Sequence, residues 1–275
     1  MREWACEFGA NLNLIGILTE PTGMGASPEQ PFAVMLNAGL LHRVGPHRMS
    51  VTLARRLAAQ GVSSLRFDIG GRGDSESAHQ MDSDENQVLA DVIEAMDFLE
   101  RERGISRFVL YGLCAGADNA HAVALRDSRV VGAVFLDGHG YWTRRSYMKH
   151  YLPRLWRPRV WLNYVRRTLG SEKQVVEEVG VHGKRKPFGM QEQVECEIQS
   201  LVDRGAQLLF VYSGGVAAYY NYSGQFFDMF PRLKTQNRIT TKYYPNADHT
   251  YTLREDRDRL LNSVIAWYSS REWTR

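Results

Sequence analysis

Between Arg107 and Ala120 the chain reads RFVLYGLCAGADNA, and this stretch limits the fold more than any other. A short apolar run, bounded by glycine, is the signature of a buried strand. A helix-like pattern follows at once, and Gly112-Leu113-Cys114-Ala115-Gly116 stands at the junction. Glycines on either side of a cysteine allow a backbone turn too sharp for residues carrying a Cβ. A strand that turns directly into a helix belongs to a mostly parallel sheet with helices on both faces.

The same alternation runs through the chain. Trp4–Phe8 and Leu12–Leu18 read as two short strands around a Gly9-Ala10-Asn11 turn. Pro31–Gly39, Val130–Gly138 and Ala206–Gly215 read as buried strands, and Val62–Ser75 as a strand entering a glycine-rich loop. A last strand and a loop lie in RITTKYYPNADHTY. Apolar residues at helical spacing mark helices from Val51 to Gly61, from Val88 to Gly104, over Ala117–Arg126, and around Leu260–Trp267. The gap between the strands near Gly138 and Gln207 is too long for a simple crossover. The predicted organisation is therefore an α/β core over residues 1–138 and 206–275, with residues 139–205 inserted as a helical cap above the carboxyl edge of the sheet.

Charge and cysteine usage narrow the function. Net charge is +3, too small for a nucleic-acid binder, and 44% hydrophobic residues suffice for a sizeable core. No uninterrupted apolar run approaches the roughly 18 residues of a membrane span. The first residues lack the basic-then-apolar order of a signal peptide. Cys6, Cys114 and Cys196 are odd in number and far apart, which predicts reduced thiols and a cytoplasmic setting. There is no CxxC metal pattern and no GxxxxGK, so neither metal nor cofactor is expected, and the SGG of Ser213–Gly215 is too short for a phosphate loop. The cap differs from the rest: Trp142–Met190 holds 12 Lys/Arg against 3 Asp/Glu, a local +9, together with Trp142, Tyr147, Tyr151, Trp156, Trp161 and Tyr164. Such a segment is a solvated helical surface, a docking face for an acidic partner or anionic ligand, or, more weakly, a membrane-surface element.

Cys114 is the candidate nucleophile. A helix N-terminus directly after it favours negative charge and so lowers a thiol's pKa. A thiol nucleophile needs a base, and His249 in PNADHTY follows it in chain order, after the last strand and before the last helix.

GLCAG, ADHTY and FDIGGRGDS together resemble the α/β-hydrolase superfamily. Asp68, Gly71, Gly73 and Ser75 fit that fold's D-x-x-G-x-G-x-S loop. The likeness covers nearly everything outside the cap. It is nearest to cysteine-nucleophile members, and to hydrolase-like proteins with an NAG…HR.GP.R block. The resemblance implies an oxyanion hole built from the backbone N–H groups of Ala115 and Leu40. It implies a triad acid at a carboxyl strand end: Asp137, or Asp228 beyond the next strand, where the fold more often carries it. Asp248 adjoins His249 and is expected to point elsewhere. In LLHRVGPHR, Arg43 and Arg48 either belong to the start of a helix punctuated by Gly45-Pro46 or grip a substrate carboxylate or phosphate.

A thiol in the serine slot hints at reaction type, because an enzyme thioester transfers readily to amines and thiols. The leading expectation is a thioesterase or acyltransferase acting on an acyl thioester carried by coenzyme A or by an acidic carrier protein. The alternatives are an ester or lactone hydrolase resembling the dienelactone hydrolases, and a non-catalytic binding protein on the same fold.

Overall fold

The computed structural model describes residues 1–9, 11–22, 30–77, 84–155 and 189–273. Eight strands form one sheet: β1 Arg2–Phe8, β2 Leu14–Glu20, β3 Phe32–Met35, β4 Ser64–Phe67, β5 Phe108–Leu113, β6 Val130–Leu136, β7 Gln207–Ser213 and β8 Ile239–Tyr244. Their spatial order is β1-β2-β4-β3-β5-β6-β7-β8. β2 is antiparallel to both β1 and β4, and every other pairing is parallel. Strand bounds shift by up to four residues from the sequence expectation, most at the end of Pro31–Gly39, where the ladder stops at Met35, because apolar runs mark burial rather than ladder ends.

The helices are α1 Met49–Ala59, α2 Asp84–Arg103, α3 Ala115–Arg126, α4 Arg144–Leu155, α5 Gln191–Asp203, α6 Gln225–Met229 and α7 Arg254–Ser269. Both faces of the central strands are covered. Along β5, Phe108 and Leu110 pack toward Val92, Val123 and Ile198 of α2, α3 and α5. Val109, Tyr111 and Leu113 pack with Leu53 of α1 and Leu260 of α7 on the other face. That two-sided burial explains why β5 reads as a continuous apolar run instead of an alternating one.

The segment between β6 and β7, expected to hold an inserted cap, is described in part. Residues 156–188, including Trp156, Trp161 and Tyr164, lie outside the described residues. α4 follows β6 and presents Tyr147, Met148, Tyr151 and Leu152 as exposed side chains. α5, at the far end of the predicted insertion, buries Val194, Ile198, Leu201 and Val202 in the main core cluster. Among the described residues it is the helix that leads into the parallel strand β7. No described helix is long and apolar enough to cross a membrane.

Candidate active site

The register of three adjacent strands sets the site. Leu113 of β5 pairs with Leu136 of β6, and Leu136 pairs with Val211 of β7. The next residues on the first two strands, Cys114 and Asp137, therefore stand side by side at the carboxyl edge. The Cys114 N–H donates to the Leu136 carbonyl at 2.9 Å, and the Asp137 N–H to Val211 at 2.8 Å.

Cys114 turns the chain from β5 into α3 with φ +56° and ψ −119°. The left-handed region costs a residue with a Cβ about 1–3 kcal/mol, and such strain gathers at functional sites. The two flanking glycines make it possible. A Cβ on Gly112 would lie 2.0 Å from the Gly116 carbonyl oxygen, and one on Gly116 would lie 2.6 Å from the Asn37 carbonyl oxygen. Asp137 and Tyr251 also have positive φ, so strained backbone recurs beyond β5, β6 and β8.

The Asp137 carboxylate is fully buried. Its Oδ2 accepts a 2.7 Å hydrogen bond from His249 Nδ1. The acceptor is a carboxylate, so Nδ1 carries the proton and Nε2 is left for the thiol side. His249 is also hydrogen-bonded to Cys114. Burial pulls the imidazole pKa down, but the hydrogen bonds to Asp137 and Cys114 and their charges outweigh it, raising it from 6.5 to about 9. Near neutral pH the ring therefore favours its protonated form. By contrast, burial pushes the Cys6 thiol up to about 11, so that thiol stays neutral.

Of the two expected acids, the structure brings Asp137 to the imidazole. Asp228 lies on α6 and accepts a 2.5 Å hydrogen bond from the Tyr222 hydroxyl. Asp248 turns away from the ring next to it in sequence. Its carboxylate accepts the backbone N–H of Thr252 at 2.7 Å and the hydroxyl of Thr250 at 2.7 Å, closing the loop that carries His249.

Ala115 opens α3, in the first turn, where N–H groups have no intrahelical acceptor. Leu40 is exposed in a turn closed by the Leu41 N–H to the Ala38 carbonyl, 3.1 Å. Asn37 fixes that turn. Its amide donates to the Leu41 carbonyl at 2.7 Å and to Asp68 Oδ1 at 3.0 Å, and its own oxygen accepts the Ile69 N–H at 2.9 Å.

Arg43 has a different task from the one its chemistry suggests. Its guanidinium pairs with buried Asp68 and reaches Asp74 Oδ2 at 2.7 Å, while its backbone N–H donates to Asp68 Oδ1 at 2.5 Å. The cation thereby pins the loop after β3 to the loop after β4. The aspartate–glycine–serine motif serves the same clasp. Gly73 (φ +52°) approaches the Asp68 carboxylate so closely that a Cβ would lie 2.2 Å from it, and the Ser75 hydroxyl donates to the Asp68 carbonyl at 2.6 Å. Arg48 is exposed, at a left-handed position that starts α1. His42, Asp68 and Asp74 are the one group among the described residues spaced for a metal. The Arg43 cation already sits among them.

Ser213 is the site residue that sequence reasoning missed. Its N–H donates to Asp137 Oδ1 at 2.6 Å and its hydroxyl to Oδ2 at 2.7 Å. A serine at the end of an apolar strand was the available signal.

Taken together, a thiol on a strained turn, a protonated imidazole and a buried carboxylate can activate a nucleophile and return a proton to a leaving group. The family model described as serine aminopeptidase, S33 matches residues 35–177. A dienelactone hydrolase from Anabaena variabilis is similar in structure, at 14% identity and a TM-score of 0.59, over 98% of this chain and 97% of that one. So is an alpha/beta hydrolase from a Penicillium species, at 16% identity and 0.59, over 98% of each chain. A third is XC6422 from Xanthomonas campestris, described as an a/b serine hydrolase without lid, at 13% identity and 0.57, over 98% of this chain and 94% of that one. At such identities the likeness is one of fold. No curated protein matches the sequence.

Proposed function

Since the chain belongs to the serine aminopeptidase S33 family of α/β-hydrolases, we propose that it works through a Cys114–His249–Asp137 triad as a hydrolase or acyltransferase on activated acyl thioesters. The observation that carries this reading is the thiol in the serine slot, hydrogen-bonded to an imidazole whose pKa is raised to about 9.

The chemistry follows from the geometry. The Cys114 thiolate attacks the substrate carbonyl carbon, and the backbone N–H groups of Ala115 and Leu40 receive the developing oxyanion. Each such donor is worth about 3 kcal/mol. Collapse forms the enzyme thioester and breaks the bond to the leaving thiol, which takes the proton from His249. His249 then removes a proton from water, or from an acceptor amine or thiol, as that group attacks. The acyl group leaves, and the Cys114 thiolate returns beside the imidazolium. Asp137 holds the ring and its charge throughout.

Leaving-group chemistry favours thioesters. The adduct of a thiolate with an oxoester expels the better leaving group, which is Cys114 itself. With a thioester both candidates are thiolates, so forward collapse competes. The surface fits a polyanionic carrier: Arg144, Arg145 and Lys149 of α4 lie beside exposed Tyr147 and Tyr151, with the Arg145 guanidinium 4.8 Å from the centre of the Tyr222 ring. In this reading α4 belongs to the cap, and among the described residues Arg48 is the exposed cation of the HRVGPHR segment left to meet an anionic substrate.

A second reading, a lactone or small-ester hydrolase, draws on the likeness to a dienelactone hydrolase. Specificity constants decide between them. Acyl-CoA and carrier-bound thioesters are expected to turn over faster than p-nitrophenyl esters of the same acyl chain. The reverse order assigns the site to oxoesters.

A further inference from the structure

The Ser213-Gly214-Gly215 motif sits where β7 ends, and each residue makes a contact that the triad itself does not explain. Ser213 is fully buried and gives both of its donors to one carboxylate: N–H to Asp137 Oδ1 at 2.6 Å, hydroxyl to Oδ2 at 2.7 Å. Oδ2 is the same oxygen that receives His249 Nδ1. Gly214 passes so near β8's end that a Cβ would lie 2.0 Å from the Pro245 carbonyl oxygen. A Cβ on Gly215 would lie 2.2 Å from the His249 nitrogen and 2.9 Å from its Cβ, and the Gly215 N–H donates to the Ala247 carbonyl at 3.0 Å. One turn of three residues therefore touches the acid on one side and the histidine's backbone on the other.

We propose that Ser213 is a positioning residue for the acid, and that Ser213–Gly215 is a clasp that fixes Asp137 and His249 relative to each other. The idea rests on the triad reading above. Two donors on one carboxylate lock its plane, so that Oδ2 meets the imidazole along one direction only. Without the hydroxyl, Oδ2 keeps the imidazole but loses the donor that, together with the Ser213 N–H on Oδ1, fixes the plane of the carboxylate. A pivoting acid holds the imidazole less firmly, and the imidazolium–thiolate pair is then less favoured. The glycines supply the clearance that lets the His249 loop close on this turn. Among the described residues, the Tyr219 hydroxyl donates to the Asp137 carbonyl at 3.2 Å, and the Tyr243 and Tyr251 phenols feel the Asp137 charge. Burial, then the Asp137 charge, raises both, so they stay neutral near pH 7.

Iodoacetamide tests this without a known substrate, because it reports the thiolate. The alkylation rate of Cys114, resolved from Cys6 and Cys196 by peptide mass, is followed from about pH 5 to pH 9. In Ser213→Ala the profile is expected to move up by about one pH unit, a rate about tenfold lower on its acid side, as the loss of a hydrogen bond to a charged group implies. Ser213→Thr keeps a hydroxyl and is expected to keep the wild-type profile. Thermal melting identifies any variant that does not fold. Asp137→Asn separates the two ideas. If it shifts the profile while folded Ser213→Ala overlaps wild type, the positioning role is wrong and the triad stands. If Asp137→Asn also overlaps wild type, the triad reading fails and this proposal with it.

Discussion

His249 Nδ1 and Asp137 Oδ2 are 2.7 Å apart, although 112 residues separate them in sequence. The carboxylate reaches the ring from the end of β6, while the end of β7 supplies Ser213 to hold that carboxylate. The carboxylate beside the ring is thus Asp137, the first of the two expected candidates, and not Asp228 of α6 beyond β7. The pairing of Leu113 with Leu136 then puts acid and thiol on neighbouring strand ends.

Asp137→Asn keeps the shape of the side chain and removes the charge that sustains the imidazolium. Acyl-enzyme formation in single-turnover experiments is expected to fall by at least about a hundredfold, less than the full effect in serine triads because a thiol is more acidic. An unchanged rate would place the functional acid elsewhere.

The raised pKa of His249 has two consequences with pH. Activity that uses the ring as an acid is expected to decline as pH rises through about 9. Stability moves in the same direction. The folded pKa lies above the unfolded value of 6.5, so the contribution is complete below about 6.5 and is lost as pH climbs through about 9. Its size is on the order of 3 kcal/mol. Urea unfolding at neutral and at alkaline pH, compared between wild type and His249→Ala, checks the sign. The variant should lose less stability than wild type on going alkaline.

Arg43 and Arg48 should behave differently. Arg43→Ala leaves buried Asp68 without its cation and is expected to lower stability by about 3–5 kcal/mol. Arg48→Ala, at an exposed position, is expected to leave the melting temperature nearly unchanged. If Arg48 contacts an anionic carrier, KM for carrier-bound thioesters should rise while kcat holds. A stable Arg43→Ala protein with raised KM would return Arg43 to the role of substrate grip.

Gly112→Ala and Gly116→Ala test the turn itself. Each puts a methyl group within 2.0 and 2.6 Å, respectively, of a carbonyl oxygen. A loss of about 2–3 kcal/mol in unfolding free energy, or failure to fold, is expected for both. Ala115→Ser, at a partly exposed position between them that already carries a Cβ, serves as the control.

Much of this was legible in the chain because the informative signals are local. Apolar runs marked the strands, and the two glycines around Cys114 marked the turn. His249 followed from its place between the last strand and the last helix. The acid stayed open between Asp137 and Asp228, because strand register decides which carboxylate reaches the ring. Arg43 looked like a ligand contact because Asp68, 25 residues away, meets it only in the folded chain. Ser213 gave almost no signal, since one buried hydroxyl leaves no pattern. α5 fell inside the expected insertion because the length of the gap does not reveal that Val194, Ile198, Leu201 and Val202 pack into the core.

The central claim is that Cys114 carries the acyl group. Intact-mass measurement after mixing the protein with acyl-CoA and carrier-bound acyl donors tests it most directly. The expected result is a single acyl adduct, mapped to Cys114, that accumulates in His249→Ala more slowly than in wild type and is absent from Cys114→Ala. No adduct with any donor, or an adduct that persists in Cys114→Ala, would contradict it.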